Sequence, residues 1–266
     1  MRKVEELAHF PPGLLPLMAS FLGPDFIFLA GGLINRRGEI VATAVCYSPE
    51  AGSWCTNVPS MSTSRYGAAT VAIGSRMMVF GGGGTIGWHL SICEAFDLMA
   101  NEWSALPPMS TPRVNASAVA WQGRAFIFGG RNGSTVLTSV ECFDSQLNRW
   151  SAMAPMRTRR YATAAVAVSG CRILIMGGLH GCVLQSVECY DPATNQWTAM
   201  SWQLPKPLFN FAAHCIDQTL YVLGGCTNNG ERSSECWSMD LTADVPIWSP
   251  LPPLPTTMGG LSSVVL

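Results

Sequence analysis

Three arginines recur at one place in the sequence and are the side chains best suited to bind a ligand. Each follows a methionine by four residues and precedes a short apolar run: Arg65, Arg113 and Arg160, after Met61, Met109 and Met156. A guanidinium stays charged and offers a planar fork of donors that fits carboxylate or phosphate groups. The arginines therefore indicate an anion-binding surface, provided that the fold brings them together.

The positions of these arginines follow a repeat that is marked by an apolar strand ending in two glycines. The strand and its doublet occupy residues 27–32, 78–82, 126–130, 174–178 and 221–225. The first glycines of successive doublets are separated by 50, 48, 48 and 47 residues. A regular period of this length predicts an array of similar structural units.

Each unit from residue 65 onward contains four short apolar runs separated by turn residues, a pattern typical of consecutive antiparallel strands. The third run ends in Glu-x-Phe/Tyr-Asp, at residues 94–97, 141–144 and 188–191. The fourth carries a tryptophan: Trp54, Trp103, Trp150, Trp197 and Trp248. Small sheets bury their apolar faces by stacking on neighbours, and a radial array closes the stack. We expect the glycines to allow close backbone approach and the tryptophans to pack between sheets.

This combination of strand, glycine doublet, Glu-x-Tyr-Asp and tryptophan resembles the kelch repeat of β-propellers, over residues 26–266. The resemblance implies an all-β, five-bladed propeller with four-stranded antiparallel blades. The first unit, which lacks the Glu and Asp, and the fifth depart most from the pattern. Because the first unit begins at its second strand, we expect the C-terminal strand, residues 258–266, to close the N-terminal blade.

A rotational repeat places the arginines in a ring at one mouth of the propeller. In kelch adaptors that hold acidic peptides, arginines at this position and just after the glycine doublet line the binding face, which adds Arg131. Aromatic side chains beside the charge suit an interface. The predicted partner-binding residues are Arg65, Arg113, Arg131, Arg160, Tyr66, Tyr161 and Phe209. The alternative is that each recurring arginine pairs with a strand-three glutamate (Glu94, Glu141 or Glu188) or is solvated at the strand end, and both interpretations remain open.

These features favour a non-enzymatic module that binds a protein or an acidic peptide at its loop face. The rival hypothesis is a propeller enzyme in which the same arginines hold the carboxylate of a small anionic substrate such as a sugar acid. Residues 10–25 resemble the first half of an F-box, so the module could be a substrate adaptor of a cullin-type ubiquitin ligase, with ligase subunits as partners. We assign residues 1–25 to an N-terminal extension with a short helix; a short apolar segment packed on the propeller is the other interpretation.

Composition excludes several other classes of function. The net charge is -1 and only 12% of residues are charged, which argues against nucleic-acid and membrane partners. The N-terminus is a poor signal peptide, so we expect a cytoplasmic protein. Four scattered histidines and the lack of a Cys-x-x-Cys pair predict no metal site or cofactor. We expect Cys46, Cys142, Cys189 and Cys236, which share one repeat position, to be buried thiols.

Overall fold

The computed structural model describes residues 14–15, 18–21, 27–34, 38–48, 52–55, 57–85, 89–170 and 172–259. Blade 1 contains β1 (Leu14–Leu15), β2 (Met18–Phe21), β3 (Ile27–Ile34), β4 (Glu39–Ser48) and β5 (Ser53–Cys55). Blade 2 contains β6 (Ala69–Ile73), β7 (Arg76–Phe80), β8 (Cys93–Asp97) and β9 (Glu102–Leu106). Blade 3 contains β10 (Ser117–Trp121), β11 (Arg124–Phe128), β14 (Val140–Asp144) and β15 (Arg149–Met153), with a small hairpin of β12 (Arg131–Asn132) and β13 (Thr135–Val136).

Blades 4 and 5 repeat this plan. Blade 4 contains β16 (Ala164–Val168), β17 (Arg172–Met176), β20 (Val187–Asp191) and β21 (Gln196–Ala199), with a hairpin of β18 (Leu179–His180) and β19 (Cys182–Val183). Blade 5 contains β22 (Ala212–Ile216), β23 (Thr219–Leu223), β24 (Cys236–Asp240) and β25 (Ser249–Leu251). All pairings within the blades are antiparallel, and the first strands β2, β6, β10, β16 and β22 follow one another around the ring. The predicted five-bladed propeller is confirmed.

The start of blade 1 differs from the expectation. β2 pairs with β3 in the register Met18↔Ala30 to Phe21↔Ile27, and so occupies the place of a first strand. β1 pairs with the far end of β3. The described part of residues 1–25 is therefore extended and belongs to the propeller, where a short helix in a separate extension was expected. The physical reason is that the inner edge of β3 presents unpaired backbone groups, which even a four-residue strand can satisfy.

At the C-terminal end of the chain, the structure describes only the first two residues of the predicted closing strand, Met258 and Gly259. The Gly225 N–H donates to Met258 O, and the Met258 N–H donates to Ser233 O, so Met258 docks on blade 5 as each recurring arginine docks on the blade before it. Residues 260–266, the rest of the predicted closing strand, lie outside the described residues, as do most of the F-box-like residues. No helix in the described residues has the length and apolar character needed to cross a membrane.

The core lies between blades. Four clusters of buried side chains each join one blade to the next, so each of these blades depends on a neighbour to bury its apolar face. Four repeat tryptophans, Trp103, Trp150, Trp197 and Trp248, pack at these junctions. The Trp150 ring packs edge-on against Phe80 of blade 2, with 5.4 Å between the ring centroids, and its Nε1 donates to Pro107 O at 2.8 Å. The expected packing of tryptophan between sheets is confirmed.

Each residue of the Glu-x-Phe/Tyr-Asp sequence has a separate structural role. In blade 3 the aromatic Phe143 enters the junction with blade 2. Asp144 Oδ1 accepts hydrogen bonds from the backbone N–H groups of Gln146 and Leu147, and so shapes the turn between β14 and β15. These backbone bonds hold the pKa of Asp144 below its usual range. Cys142, between the glutamate and the aromatic residue, is a buried thiol, and Cys46, Cys189 and Cys236 are buried in the same way.

Candidate binding site at the loop face

The recurring arginines do not project into solvent. The side chain of Arg113 has 0% exposure and forms an ion pair with Glu141 at 2.7 Å. Its Nη1 donates to the carbonyl oxygens of Gly129 at 2.7 Å and Ser139 at 3.0 Å, and its Nη2 also donates to Ser139 Oγ at 3.0 Å. The Glu141 carboxylate in turn accepts the backbone N–H groups of Ser110 and Thr111. Both terminal nitrogens of the guanidinium are therefore bound to the protein's own groups, while Nε is buried without a hydrogen-bond partner among the described residues.

Arg65 and Arg160 repeat this arrangement with Glu94 and Glu188. Burial lowers the pKa of all three arginines, and the charge and hydrogen bond of the glutamate oppose that shift. The three arginines therefore pair with the glutamates of the third strands, which is one of the two interpretations that the sequence left open. Their burial gives no support to direct contact with a partner, because a side chain with no exposed surface cannot touch one.

The main chain of each arginine contacts the blade before the one that holds its side chain. Arg113 O accepts the Gly82 N–H of blade 2 at 2.8 Å, whereas the guanidinium binds blade 3. The glycine doublet makes this possible: Gly81 has φ +61°, and a Cβ there would stand 2.6 Å from Arg113 O. Arginine, glutamate and glycine doublet together form a clamp between adjacent blades, which we call the blade clamp.

Blade 5 lacks the arginine of the blade clamp. Leu208, fully buried, stands in its place. The equivalent glutamate, Glu235, is 55% exposed and pairs with Lys206, whose Nζ also lies 5.0 Å from the centre of the Trp237 ring. This junction depends on apolar packing with a partly exposed ion pair beside it.

Two residues from each of blades 2 to 5 lie at the mouth of the propeller. One directly follows the recurring arginine, or Leu208 in blade 5, and the other is its partner in an isolated β-bridge. The bridges are Tyr66↔Gly83, Val114↔Arg131, Tyr161↔Leu179 and Phe209↔Cys226. The next residues, Gly67, Asn115, Ala162 and Asn210, all have positive φ. Backbone hydrogen bonds run between them in sequence, Asn115 N–H to Gly67 O, Ala162 N–H to Asn115 O and Asn210 N–H to Ala162 O, at 2.7 to 2.9 Å. This belt of backbone bonds fixes the spacing of the side chains that precede it, Tyr66, Val114, Tyr161 and Phe209.

Arg131 is the charged member of this lining. Its Cζ lies 5.5 Å from the centre of the Tyr161 ring, within the range of a cation–π contact between blades 3 and 4. Among the described residues its guanidinium has no carboxylate partner. Tyr66, Tyr161 and Phe209 are all half-buried. The structure thus brings Arg131 and Tyr161 into contact and places Tyr66 and Phe209 at equivalent positions of other blades.

His89 is a neighbour of this site that the sequence did not reveal. Its Nδ1 accepts the backbone N–H of Gly133, in the turn after Arg131 and Asn132, at 3.2 Å. Burial, and then the charge of Arg131, lower the pKa of His89. His89 lies in the variable loop of blade 2 and has no counterpart in the other repeats, so periodicity carried no signal for it.

Comparison with known proteins agrees with this architecture. A profile described as the KLHDC2/KLHL20/DRC7 Kelch-repeats domain matches residues 18–225, and a Kelch motif matches residues 207–255. No curated protein matches the chain. The first match begins at Met18, the first residue of β2, in agreement with the place of β2 in blade 1. Because this match covers well over half of the 266 residues, the chain belongs to the family of KLHDC2/KLHL20/DRC7-type Kelch-repeat propellers.

Proposed function

We propose that this propeller binds an acidic peptide segment of a protein partner at its mouth, with Arg131 as the charged anchor and Tyr66, Tyr161 and Phe209 as aromatic contacts. Kelch propellers are typically protein-interaction modules. The observation that carries the proposal is the Arg131–Tyr161 pair: a guanidinium held on an aromatic face at 5.5 Å, with no carboxylate neighbour among the described residues. A partner's carboxylate would supply that missing charge.

Binding of acidic peptides to the full-length chain tests the proposal. The probe is a library of fluorescent peptides rich in Asp and Glu, with matched versions in which these residues are Asn and Gln. We expect Arg131→Ala to weaken binding by about 10- to 100-fold, the equivalent of one hydrogen-bonded charged contact. Arg149→Ala, at an exposed position of the outer strand β15, removes the same charge and should leave binding unchanged. Equal affinity for the acidic and amide peptides, or equal effects of the two variants, would refute the proposal.

A more specific form of the proposal is that the chain presents its partner to a cullin-type ubiquitin ligase. Its support is the F-box-like sequence of residues 10–25, of which Met18–Phe21 serve as β2. Removal of residues 1–13 leaves every described strand in place and should abolish co-purification with ligase subunits. Continued association of that variant with the ligase, or no association of the intact chain, would contradict the adaptor role.

The second candidate function, an enzyme acting on a small anionic substrate such as a sugar acid, is favoured by one observation. His89 lies beside Arg131, so a carboxylate on Arg131 would place a substrate near a titratable side chain. Turnover of a panel of sugar acids that is lost in both Arg131→Ala and His89→Ala would establish this function. No turnover with the intact chain, together with peptide binding, would decide for the interaction module.

A further inference from the structure

A second feature of the loop face is the Asn–Gly pair in the hairpin directly after Arg131. Asn132 and Gly133 follow Arg131 directly, and Asn132 pairs with Thr135, so Gly133 and Ser134 form the two-residue turn of the β12–β13 hairpin. Both turn residues are exposed, and Gly133 has φ +60° with no heavy atom within 4 Å of the position of a Cβ. Within the described part of the chain, no neighbouring group therefore hinders the approach of an adjacent side chain to the main chain of Gly133.

The backbone N–H of Gly133 is the proton that must be lost when an asparagine side chain cyclises onto the following residue. Here that N–H donates to His89 Nδ1 at 3.2 Å, within the distance at which a side chain can act as a general base. Because Nδ1 accepts this bond, the imidazole is neutral with its proton on Nε2. The lowered pKa of His89 favours the same neutral form.

We propose that Asn132 is a self-modification site, at which His89 acts as the general base for deamidation through a succinimide. His89 Nδ1 takes the proton of the Gly133 amide, the Gly133 nitrogen bonds to Asn132 Cγ, and the Cγ–Nδ2 bond breaks. The leaving nitrogen takes up the proton from His89 and departs as ammonia. Water then adds to one carbonyl of the ring and the carbonyl C–N bond breaks, which leaves aspartate or isoaspartate.

The product changes the charge of the loop face. A carboxylate at position 132 would add a negative charge one residue from Arg131, on the other face of β12, and so weaken the attraction of the loop face for an acidic ligand. Isoaspartate also adds a carbon to the main chain within β12 and disturbs its pairing with β13. This effect on the partner rests on the proposed function, whereas the chemical step does not.

The protein contains its own control for the reaction. Asn229–Gly230 is the other Asn–Gly pair in the sequence, and it also lies in a loop after a glycine doublet. Asn229 and Gly230 are both exposed, but the Gly230 N–H donates to the backbone carbonyl of Thr227 at 2.9 Å, which cannot take up a proton. If exposure alone governed the reaction, Asn229 would react at least as fast as Asn132.

The test is incubation of the full-length protein at neutral pH, with peptide mapping by mass spectrometry to follow deamidation at each asparagine. We expect Asn132 to react before Asn229, and His89→Ala to slow Asn132 by about 100-fold, the lower end of what a positioned general base contributes, with Asn229 unchanged. His89→Gln keeps an acceptor for the Gly133 N–H but no base, and should be as slow as His89→Ala. Three results would each overturn the proposal: Asn132 no faster than Asn229, a rate unaffected by His89→Ala, or a rate restored by His89→Gln. Peptide binding by Asn132→Asp, measured separately, tests the regulatory consequence alone.

Discussion

The blade clamp makes a quantitative prediction about stability, which is clearest at the junction of blades 2 and 3. Glu141→Gln keeps the shape of the side chain and one acceptor oxygen but removes the charge opposite Arg113. The guanidinium of Arg113 then stays buried, with 0% side-chain exposure and only carbonyl and hydroxyl partners. A buried cation without a counter-ion is strongly unfavourable in the folded state.

Coulomb's law and the general cost of breaking a buried ion pair give a similar loss of folding free energy for Glu141→Gln. Unit charges about 4 Å apart interact by roughly 4 kcal/mol at an effective dielectric constant of about 20. Breaking a buried pair by removing one partner destabilises proteins by about 3–5 kcal/mol in general. For a domain of this size such a loss lowers the melting temperature by about 6–20 °C. The Glu141→Gln variant should therefore unfold well below the wild-type chain.

Thermal melting and urea denaturation followed by circular dichroism measure this difference. The matched control is Arg124→Ala, which breaks the ion pair with Asp144 at the outer end of the same blade, where the arginine side chain is 51% exposed. That variant should lose less than about 1 kcal/mol. The double variant Arg113→Leu, Glu141→Leu imitates blade 5, where Leu208 replaces the arginine, and should lose less than the sum of its single variants by about 1–3 kcal/mol.

The reasoning is wrong if Glu141→Gln and Arg124→Ala reduce stability equally, because burial would then make no difference to the pair. It is also wrong if the losses of Arg113→Leu and Glu141→Leu simply add in the double variant. Strict additivity would mean that the two side chains stabilise their blades independently and that the clamp is not a unit.

Three further predictions concern single positions. Exposed Cys182 should be alkylated at neutral pH long before Cys93, because burial raises the pKa of Cys93 to about 12 and shields its thiol until the protein unfolds. Early labelling of Cys93 in mass spectra would contradict its buried placement. Ala162 is held at φ +55°, whereas Ala164 lies in β16 and is equally buried. Ala162→Gly should therefore be more stable to urea than Ala164→Gly by about 1–2 kcal/mol. Equal stabilities of the two variants would mean that the left-handed backbone at Ala162 is unstrained. Trp150→Phe loses the bond to Pro107 O and should reduce stability by about 1–3 kcal/mol through the unsatisfied carbonyl and lost packing, a result that an unchanged urea midpoint would exclude.

Much of the fold could be predicted because the signals repeat. Five glycine doublets, five tryptophans and the Glu-x-Phe/Tyr-Asp sequence gave the number of blades, the strand order and the residues that pack between sheets. The signals failed where the chain leaves the repeat. Met18–Phe21 became the first strand of blade 1 although Pro16 and Pro24 surround it, because the edge of β3 needed a partner, and that need is visible only in three dimensions.

The direction of the arginine side chains could not be decided from the sequence. Arg113 and Glu141 are 28 residues apart, and a sequence does not show whether the two side chains turn toward each other or toward the mouth. One signal was available: three units with the arginine also carry the glutamate, and where Leu208 replaces the arginine, Lys206 stands two residues earlier to pair with Glu235. Compensation of this kind indicates an ion pair that holds the fold.

The division between repeated and unrepeated residues suggests how such a propeller acquires specificity. Arg65, Arg113 and Arg160 recur because every junction between blades needs the same clamp, so their charge is neutralised inside the protein and offers nothing to a ligand. Arg131 has no repeat requirement: Gly83, Leu179 and Cys226 occupy its position in other blades, and the blades form with any of them. His89 is likewise unique to its loop. The structure thus separates residues that build the ring from residues that can vary at its mouth. We expect residues of the second group, such as Arg131 and His89, to determine which partner binds.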